Sequence, residues 1–557
     1  MTNALVNEAL RAGISALVAG VGWITEAGFW FRVLAFRWNQ TLLARHYQLG
    51  PRAELERFNP ELQGRLEKLY AEWERKGLLP QWVETSGSTK APKRILYTRA
   101  RVRERHWTFF ESFARVLSRW GVFRRSFFVM ASLAGADQGD RSLTSALLSG
   151  KKIPGRLICL QTPYRVQDPP EVRALAGRYG ETALRLWLLA ASQPGMLYAT
   201  NPSTLAAFVD GLVSDWERAR ALCLDWVRDP EQFHPKVREA YQKIESLSSR
   251  RVLKWIAEQE SISDPRAFFK KVLPKLQVIS TWDGGYVAPY LEKVKASFEA
   301  RFLPLYSMST EVIETEPVVL LGGELGFLPI SRGVVFEFIG EGWAEGSAEE
   351  LKDANPLKPW ELECGQEFVL VVSDPYGLKR YVTEDVFLCR RKVWGVPDLV
   401  FKRRQGLSYS FTGEKLTAEQ VSLAIQEIRT SPRSAELWKS LGESVAPGFS
   451  VFPKSKPAPG YELIQIGGPI LDPDSTHQLL QIFEAGLKAV NLEFAAKRES
   501  ERLRQTTYQR LEPEAFARRV APAKSAASWE SQFKFLPLYP DAERSGQDYD
   551  KSGSCPL

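Results

Sequence analysis

Thr85-Ser86-Gly87-Ser88-Thr89-Lys90-Ala91-Pro92-Lys93 is the stretch on which the reading of this chain turns. Hydroxyl side chains, one glycine and two lysines are packed into a single short loop. Leu78-Leu79-Pro80-Gln81-Trp82-Val83-Glu84 runs ahead of it and Arg94-Ile95-Leu96-Tyr97-Thr98 behind it. Both flanks are apolar and strand-like, so the loop is expected to join two strands. Gly87 lets the backbone approach a ligand closely, hydroxyls and amides donate, and lysine adds positive charge. Such a loop suits a polyphosphate. The G-x-x-x-x-G-K-[ST] spacing of a Walker A loop is missing. Taken alone, the stretch also reads as a plain polar turn, and the segments downstream decide between the two.

At 557 residues the chain is too long for one ordinary core, and two or more domains are expected. A hydrophobic fraction of 44% and a charged fraction of 25% are those of a soluble globular protein. The five cysteines (Cys159, Cys223, Cys364, Cys389, Cys555) include no C-x-x-C pair, and the four histidines are equally scattered. This argues against a disulfide framework or a zinc site and for a reducing, cytoplasmic setting. The net charge of +8 is spread along the chain, with crowding at 99–105, 390–392 and 402–404. No nucleic-acid-binding motif accompanies these arginines, so they read as a solvated basic surface and no nucleic-acid partner is expected. Residues 14–36 are apolar but interrupted by Glu26 and Arg32, which makes a poor membrane span. Leu10, Ile14, Leu17, Val18 and Val21 recur at helical spacing and predict an amphipathic helix packed on the body. Peripheral membrane contact through Trp23, Phe29, Trp30 and Phe31 is the alternative.

Helical periodicity dominates up to residue 70 and again over 99–120, 171–191, 202–226, 235–258 and 264–275. Short apolar runs then alternate with it, at 277–280, 302–306, 334–339 and 368–372. Strands alternating with helices predict an α/β domain whose sheets are covered on their faces. The segment 340–356 reads as an exposed loop. After Arg404 the texture becomes that of a small α+β domain: a helix over 417–429, a strand over 461–466 and a long helix capped by Ser475. The expected division is therefore a large domain over 1–404, a smaller one over 405–540 and a disordered tail over 541–557.

Three further segments carry chemistry. Tyr306-Ser307-Met308-Ser309-Thr310-Glu311 follows a predicted strand. A carboxylate at Glu311 could hold Mg²⁺ against a triphosphate, with the Thr310 hydroxyl donating to a phosphate oxygen. Gly377-Leu378-Lys379-Arg380-Tyr381-Val382-Thr383-Glu384-Asp385 places a carboxylate at Asp385 that could accept from both hydroxyls of a ribose. Arg403 and Arg404 fall at the domain junction, within reach of ribose or phosphate. Singly, Glu311 also reads as a surface carboxylate, Asp385 as a turn residue and the arginines as surface charge.

In order, these segments resemble the adenylate-forming enzymes, and among them the GH3 acyl-acid amido synthetases. Phe336-Glu337-Phe338, 377–385, Thr412-Gly413-Glu414-Lys415, Pro459-Gly460-Tyr461, Asn491-Leu492-Glu493-Phe494 with Arg498, and Gln532-Phe533-Lys534 carry the resemblance. It implies a large N-terminal adenylation domain and a small C-terminal one. It also implies ATP and Mg²⁺ as cofactors, with a carboxylic acid and an amine, typically an amino acid, as substrates. By the same resemblance Ser86, Gly87, Ser88, Thr89 and Lys93 would cradle the phosphates and Tyr306 would pack by the adenine. Thr310 and Glu311 would hold phosphate and Mg²⁺, Asp385 the ribose, Arg404 a hinge contact, and Lys534 the reacting phosphate. Lys90 and Glu384 stand where the family usually has glycine. The aromatics Trp107, Phe109, Phe110, Phe113 and Trp282 read first as core and second as a pocket for an apolar acid. The alternatives are an acid–thiol ligase making a CoA or carrier-protein thioester, and a degenerate homologue that binds nucleotide without turnover.

Overall fold

The computed structural model describes residues 3–50, 54–84, 93–122, 130–132, 161–162, 169–199, 202–283, 288–304, 309–340, 351, 354–405, 408–409, 411, 414, 416–431, 448–456, 458–520 and 536–539. Helices α1 (Asn3–Leu34), α2 (Phe36–His46) and α3 (Pro60–Arg75) open the chain. Strands β1 (Gln81–Glu84) and β2 (Arg94–Tyr97) then pair antiparallel, so the loop does join two strands. Helix α4 (Arg99–Arg119) follows at once, its first turn capped by Thr98, whose hydroxyl accepts from Arg101 N.

The parallel sheet comprises β3 (Met130–Ser132), β4 (Gln161–Thr162), β5 (Met196–Tyr198), β6 (Val278–Thr281) and β7 (Arg301–Pro304), in spatial order β4-β3-β5-β6-β7. All four residues of β6 are buried, as a strand covered on both faces requires. Alternate side chains serve two layers. Leu197 and Ile279 join the core of the helices over 170–298, around Trp187. Met196, Val278 and Leu303 join Phe113, Val116 and Leu117 on α4. The expected helix-covered α/β architecture is thus realised as three layers.

Two antiparallel sheets extend this body. Strands β8 (Glu316–Val319) and β9 (Leu325–Leu328) form a ribbon. Strands β10 (Val335–Gly340), β11 (Glu367–Ser373), β12 (Tyr381–Val393) and β13 (Val396–Arg404) form a meander around Phe336, Phe338, Phe387 and Phe401. Beyond β14 (Ser408–Tyr409) and β15 (Leu416–Thr417), a third sheet has β16 (Gly448–Lys454), β17 (Gly460–Ile466) and β18 (Thr507–Leu511) in that order. Helices Ala418–Thr430 and Pro473–Val490 pack on it around Val421, Phe449, Leu463 and Phe483. Trp282 packs against three cores, those of α4, of the meander and of this last unit.

Three local expectations are corrected. Asp472, not Ser475, caps the long helix: its Oδ1 accepts from Ser475 N at 2.9 Å, with Pro473 at the first helical position. On α1 the buried stripe runs through Asn7, Arg11, Ser15, Val18, Gly22, Glu26 and Phe29, leaving Leu17 in solvent. Phe29 is a core residue and Trp30 is half-buried, so of the four aromatics named in the membrane alternative only Trp23 and Phe31 are exposed. The tail over 541–557 and most of the loop over 340–356 lie outside the described residues.

Candidate active site

Lys93 enters β2 directly after the loop and is buried against β12. Its Nζ donates to Tyr381 Oη at 3.0 Å and lies 3.2 Å from Glu384 Oε2. The loop's own Ser86, Gly87, Ser88 and Thr89 lie outside the described residues, as do Tyr306 and Lys534.

Three side chains from the β2–α4 corner fix the segment bearing Thr310 and Glu311. Tyr97 Oη donates to Thr310 O at 2.7 Å, and Arg105 Nη1 donates to Ser309 O at 2.6 Å. Arg101 donates to Leu96 O at 2.7 Å, to Glu311 O, and to Asp374 Oδ2 at 2.8 Å. Arg101 and Arg105 are buried, contrary to the expectation that the arginines over 99–105 coat a solvated surface. Their spacing of four on an amphipathic helix puts them on one face, the signal that could have revealed an inward pair. The Glu311 carboxyl is itself buried, and its Oε1 has no hydrogen-bond partner among the described residues.

Asp374 organises the turn before β12, its Oδ1 accepting from Tyr376 N at 2.8 Å and Leu378 N at 3.0 Å. Gly377 in that turn has φ 110°, and a Cβ there would sit 2.8 Å from Leu66 Cδ2. Within β12 the pairing with β11 slips: Val369 faces Val386 while Val371 faces Val382. The residues 383–385 absorb the slip as a bulge, and Glu384 takes φ 67°. A left-handed residue at this point is what glycine supplies most cheaply, which accounts for the glycine usual there in the resembling family. Thr383 Oγ1 donates to Leu370 O at 3.0 Å and accepts from Asp385 N at 3.2 Å, pinning the far side of the bulge. Across the sheet Asp385 is in register with Arg404.

The structure thus brings together Lys93, Thr310, Glu311, Asp385 and Arg404. Glu384 Oε2 lies 3.8 Å from Arg404 Nη2, so one carboxylate stands between the two cations. Burial pushes the Asp385 carboxyl up to about 6, against the pull of Arg404 and Lys93 and with Glu311 and Glu384 adding to it. Glu314, which accepts from Ser309 N at 3.1 Å, is pushed up to about 8 by burial and then by Asp385. Burial opposes the Arg404 charge, but Asp385, Glu311 and Glu384 together hold its guanidinium above the ordinary value. Glu314 and Tyr97 are parts of this cluster that sequence reasoning missed, because each comes from a different element and neither forms a motif alone, whereas Tyr381 was quoted within 377–385 without a role.

The model for the GH3 family N-terminal domain matches residues 80–303, and that for the GH3 family central domain matches residues 327–404. The chain belongs to the GH3 family. None of the curated proteins matches it. Among solved structures it is similar to a GH3.15 acyl acid amido synthetase, with 14% identity, a TM-score of 0.58, and 87% of this chain and 86% of that chain covered. It is also similar to AtGH3.15 acyl acid amido synthetase in complex with 2,4-DB, with 14% identity, a TM-score of 0.57 and 86% of each chain covered. At that identity the likeness is one of fold.

In this GH3-family chain the C-terminal segments quoted for the resemblance assemble into a structural knot. Glu414 Oε1 accepts from Tyr461 Oη at 2.5 Å and from Phe411 N at 2.8 Å. Asn491 Nδ2 donates to Glu414 O at 2.9 Å and its Oδ1 accepts from Phe494 N at 2.8 Å. Two residues beyond Lys534, Leu536 O accepts from Ser450 Oγ at 2.8 Å, so the chain next to that lysine is tied to β16.

Proposed function

We propose that this protein activates an apolar carboxylic acid with ATP and transfers the acyl group to an amine, an amino acid by family analogy, to form an amide. The observation that carries the reading is the cluster of buried Lys93, Glu311 and Asp385 with half-buried Arg404, two cations and two carboxylates gathered at one end of β12. In the first step a carboxylate oxygen attacks the α-phosphorus of ATP and pyrophosphate leaves. In the second the amine attacks the acyl carbonyl and AMP leaves. Such transfers rest on positioning and charge stabilisation.

We assign Ser86, Gly87, Ser88, Thr89 and Lys93 to the phosphates, Thr310 to a phosphate oxygen and Tyr306 to the adenine. Asp385 takes the ribose hydroxyls. Arg404 is the hinge contact between a domain over 1–404 and one over 405–540, and Lys534 reaches the reacting phosphate. Among the described residues the Oε1 of buried Glu311 has no hydrogen-bond partner, which fits a hard cation, and Mg²⁺ held there would neutralise phosphate charge. Half-buried Phe109, Tyr198 and Trp282 pack against the α4 core at the ends of β5 and β6, which supports an apolar acyl pocket. ATP supply places the reaction in the cytoplasm.

Pyrophosphate release across a panel of aryl and fatty acids tests the first step. Mass spectrometry with pooled amino acids, and with CoA in their place, tests the second. Release with some acid, followed by an amide, is expected. A thioester would identify an acid–thiol ligase, and no release with any acid would leave a nucleotide-binding homologue.

A further inference from the structure

Helix α1 is built inside out. It carries four charged residues, Glu8, Arg11, Glu26 and Arg32, and all of them engage the body of the protein. Lys275 reaches Glu8 at 2.9 Å, and Arg11 Nη2 donates to Ile244 O at 2.5 Å. Arg119 grips Glu26 at 2.7 and 2.8 Å, and Arg32 forks onto Glu316 at 2.7 and 2.9 Å. The opposite side has no polar side chain. Every exposed position from Leu5 to Leu34 is apolar, alanine or glycine. Ile24 and Phe31 are 77% and 71% exposed, and Trp23 is 54% exposed. At about 1.5 Å per residue this stripe runs for roughly 44 Å. Soluble monomers do not ordinarily leave so long a stripe to water.

Two other elements continue the stripe. Trp38 on α2 is 70% exposed. Trp394, 62% exposed, sits at the tip of the β12–β13 hairpin with its ring 5.0 Å from that of Trp30. Basic side chains stand along the edge of the stripe. The Arg37 guanidinium lies 5.0 Å over the Trp360 ring, and Lys392 Nζ donates to Trp360 O at 2.8 Å. Arg119 lies 5.2 Å over the Trp23 ring. Between Asn3 and His46 both acids are buried in ion pairs, whereas Arg37 and Arg45 are exposed.

We propose that the outward face of α1, continued by Trp38 and Trp394, docks the protein on an anionic lipid bilayer, with the helix lying along the interface. Exposed tryptophans beside cations suit the headgroup level, where an apolar ring meets a negative surface. By length and composition α1 could also cross a bilayer. Crossing would strip four charged side chains from their partners, whereas lying flat keeps every pair and buries only the apolar side. An isologous pair of copies would bring basic rim against basic rim, so lipid is the better occupant. The inference is independent of the reaction.

The test is sedimentation of the full chain with phosphatidylcholine vesicles, with and without phosphatidylglycerol, at low and high salt. Co-sedimentation with the anionic vesicles, weakened by salt and released by alkaline carbonate, is expected. Ile24→Glu and Phe31→Glu should each lower vesicle affinity about tenfold or more, and Trp394→Ser should lower it from a separate element. Circular dichroism and thermal melting of these surface variants should match the parent. No binding, or binding that the folded variants retain, overturns the proposal. Retention after carbonate points to a spanning helix. A concentration-dependent dimer by light scattering, abolished by Phe31→Glu, makes the occupant a second copy. Either result overturns it too.

Discussion

Lys93 Nζ stands 3.2 Å from Glu384 Oε2, and Glu384 holds that position from a left-handed backbone at φ 67°. The cation we assign to phosphate is therefore shared with a carboxylate on a strained residue. Substituting glycine removes the strain, about 1 kcal/mol for a non-glycine residue in this region, and takes away a competing anion. Glu384→Gly is expected to lower the KM for ATP in the pyrophosphate-release assay, with kcat changed less. A raised KM would mean that Glu384 contributes to nucleotide binding itself.

Asp385 should matter to nucleotide and not to the fold. Its ionised carboxyl is disfavoured by burial, so Asp385→Asn should leave the melting temperature equal or higher. Loss of charge-assisted hydrogen bonds to ribose should cost about 1.5–3 kcal/mol, roughly tenfold to a hundredfold in affinity. Because the carboxyl titrates near about 6, ATP binding by the parent protein should strengthen as pH rises through that value. Isothermal titration calorimetry of the two proteins at several pH values checks both points, and equal affinities would remove Asp385 from the ribose site.

The pH dependence of stability should be led by Glu314. Its carboxyl is raised to about 8 in the fold from an ordinary 4.5, so across that window the folded state holds a proton the unfolded state has released. Unfolding is then favoured by rising pH, and stability is lost between about 4.5 and about 8. Asp385 adds loss in the same direction, from 3.8 to about 6. Glu314→Gln keeps an oxygen to accept from Ser309 N and removes the charge. Denaturant midpoints of this variant should fall less steeply than the parent's, flatten above about 6 where only Glu314 still titrates in the parent, and exceed the parent's at the upper end of the window.

Much of the fold was legible because its signals are local. The apolar runs at 334–339 and 368–372 announced β10 and β11, and the periodicity over 417–429 announced the helix Ala418–Thr430, which Thr417 caps. The hydroxyl-rich loop between two apolar flanks announced the β1–β2 hairpin. The positions of Glu311, Asp385 and Lys93 were legible only as an ordered set. What failed were features that depend on what an element faces. Burial of Arg101 and Arg105 is decided by carbonyls of the segment 309–311, some two hundred residues away in sequence. The inverted α1 misled because a periodic apolar stripe normally faces the core, whereas here ion pairs hold the polar stripe inward. The role of Ser475 went to Asp472 because the proline after Asp472 fits the first helical position, where a missing N–H costs nothing.

The last prediction concerns that long-range clamp. Arg101 donates to three groups at once, the carbonyls of Leu96 and Glu311 and the carboxylate of Asp374. Arg101→Met leaves Asp374 a buried charge without its cation, at a cost of about 3–5 kcal/mol, and should lower the melting temperature sharply. Arg101→Lys keeps the charge for Asp374 but cannot fork across three acceptors. Part of the stability should therefore return while the Glu311 segment stays loose. If Arg101 positions Glu311, the lysine variant should need more Mg²⁺ for half-maximal pyrophosphate release, with kcat at saturating Mg²⁺ close to the parent's. A lysine variant of parental Mg²⁺ dependence but lowered stability would show that the clamp serves the fold alone.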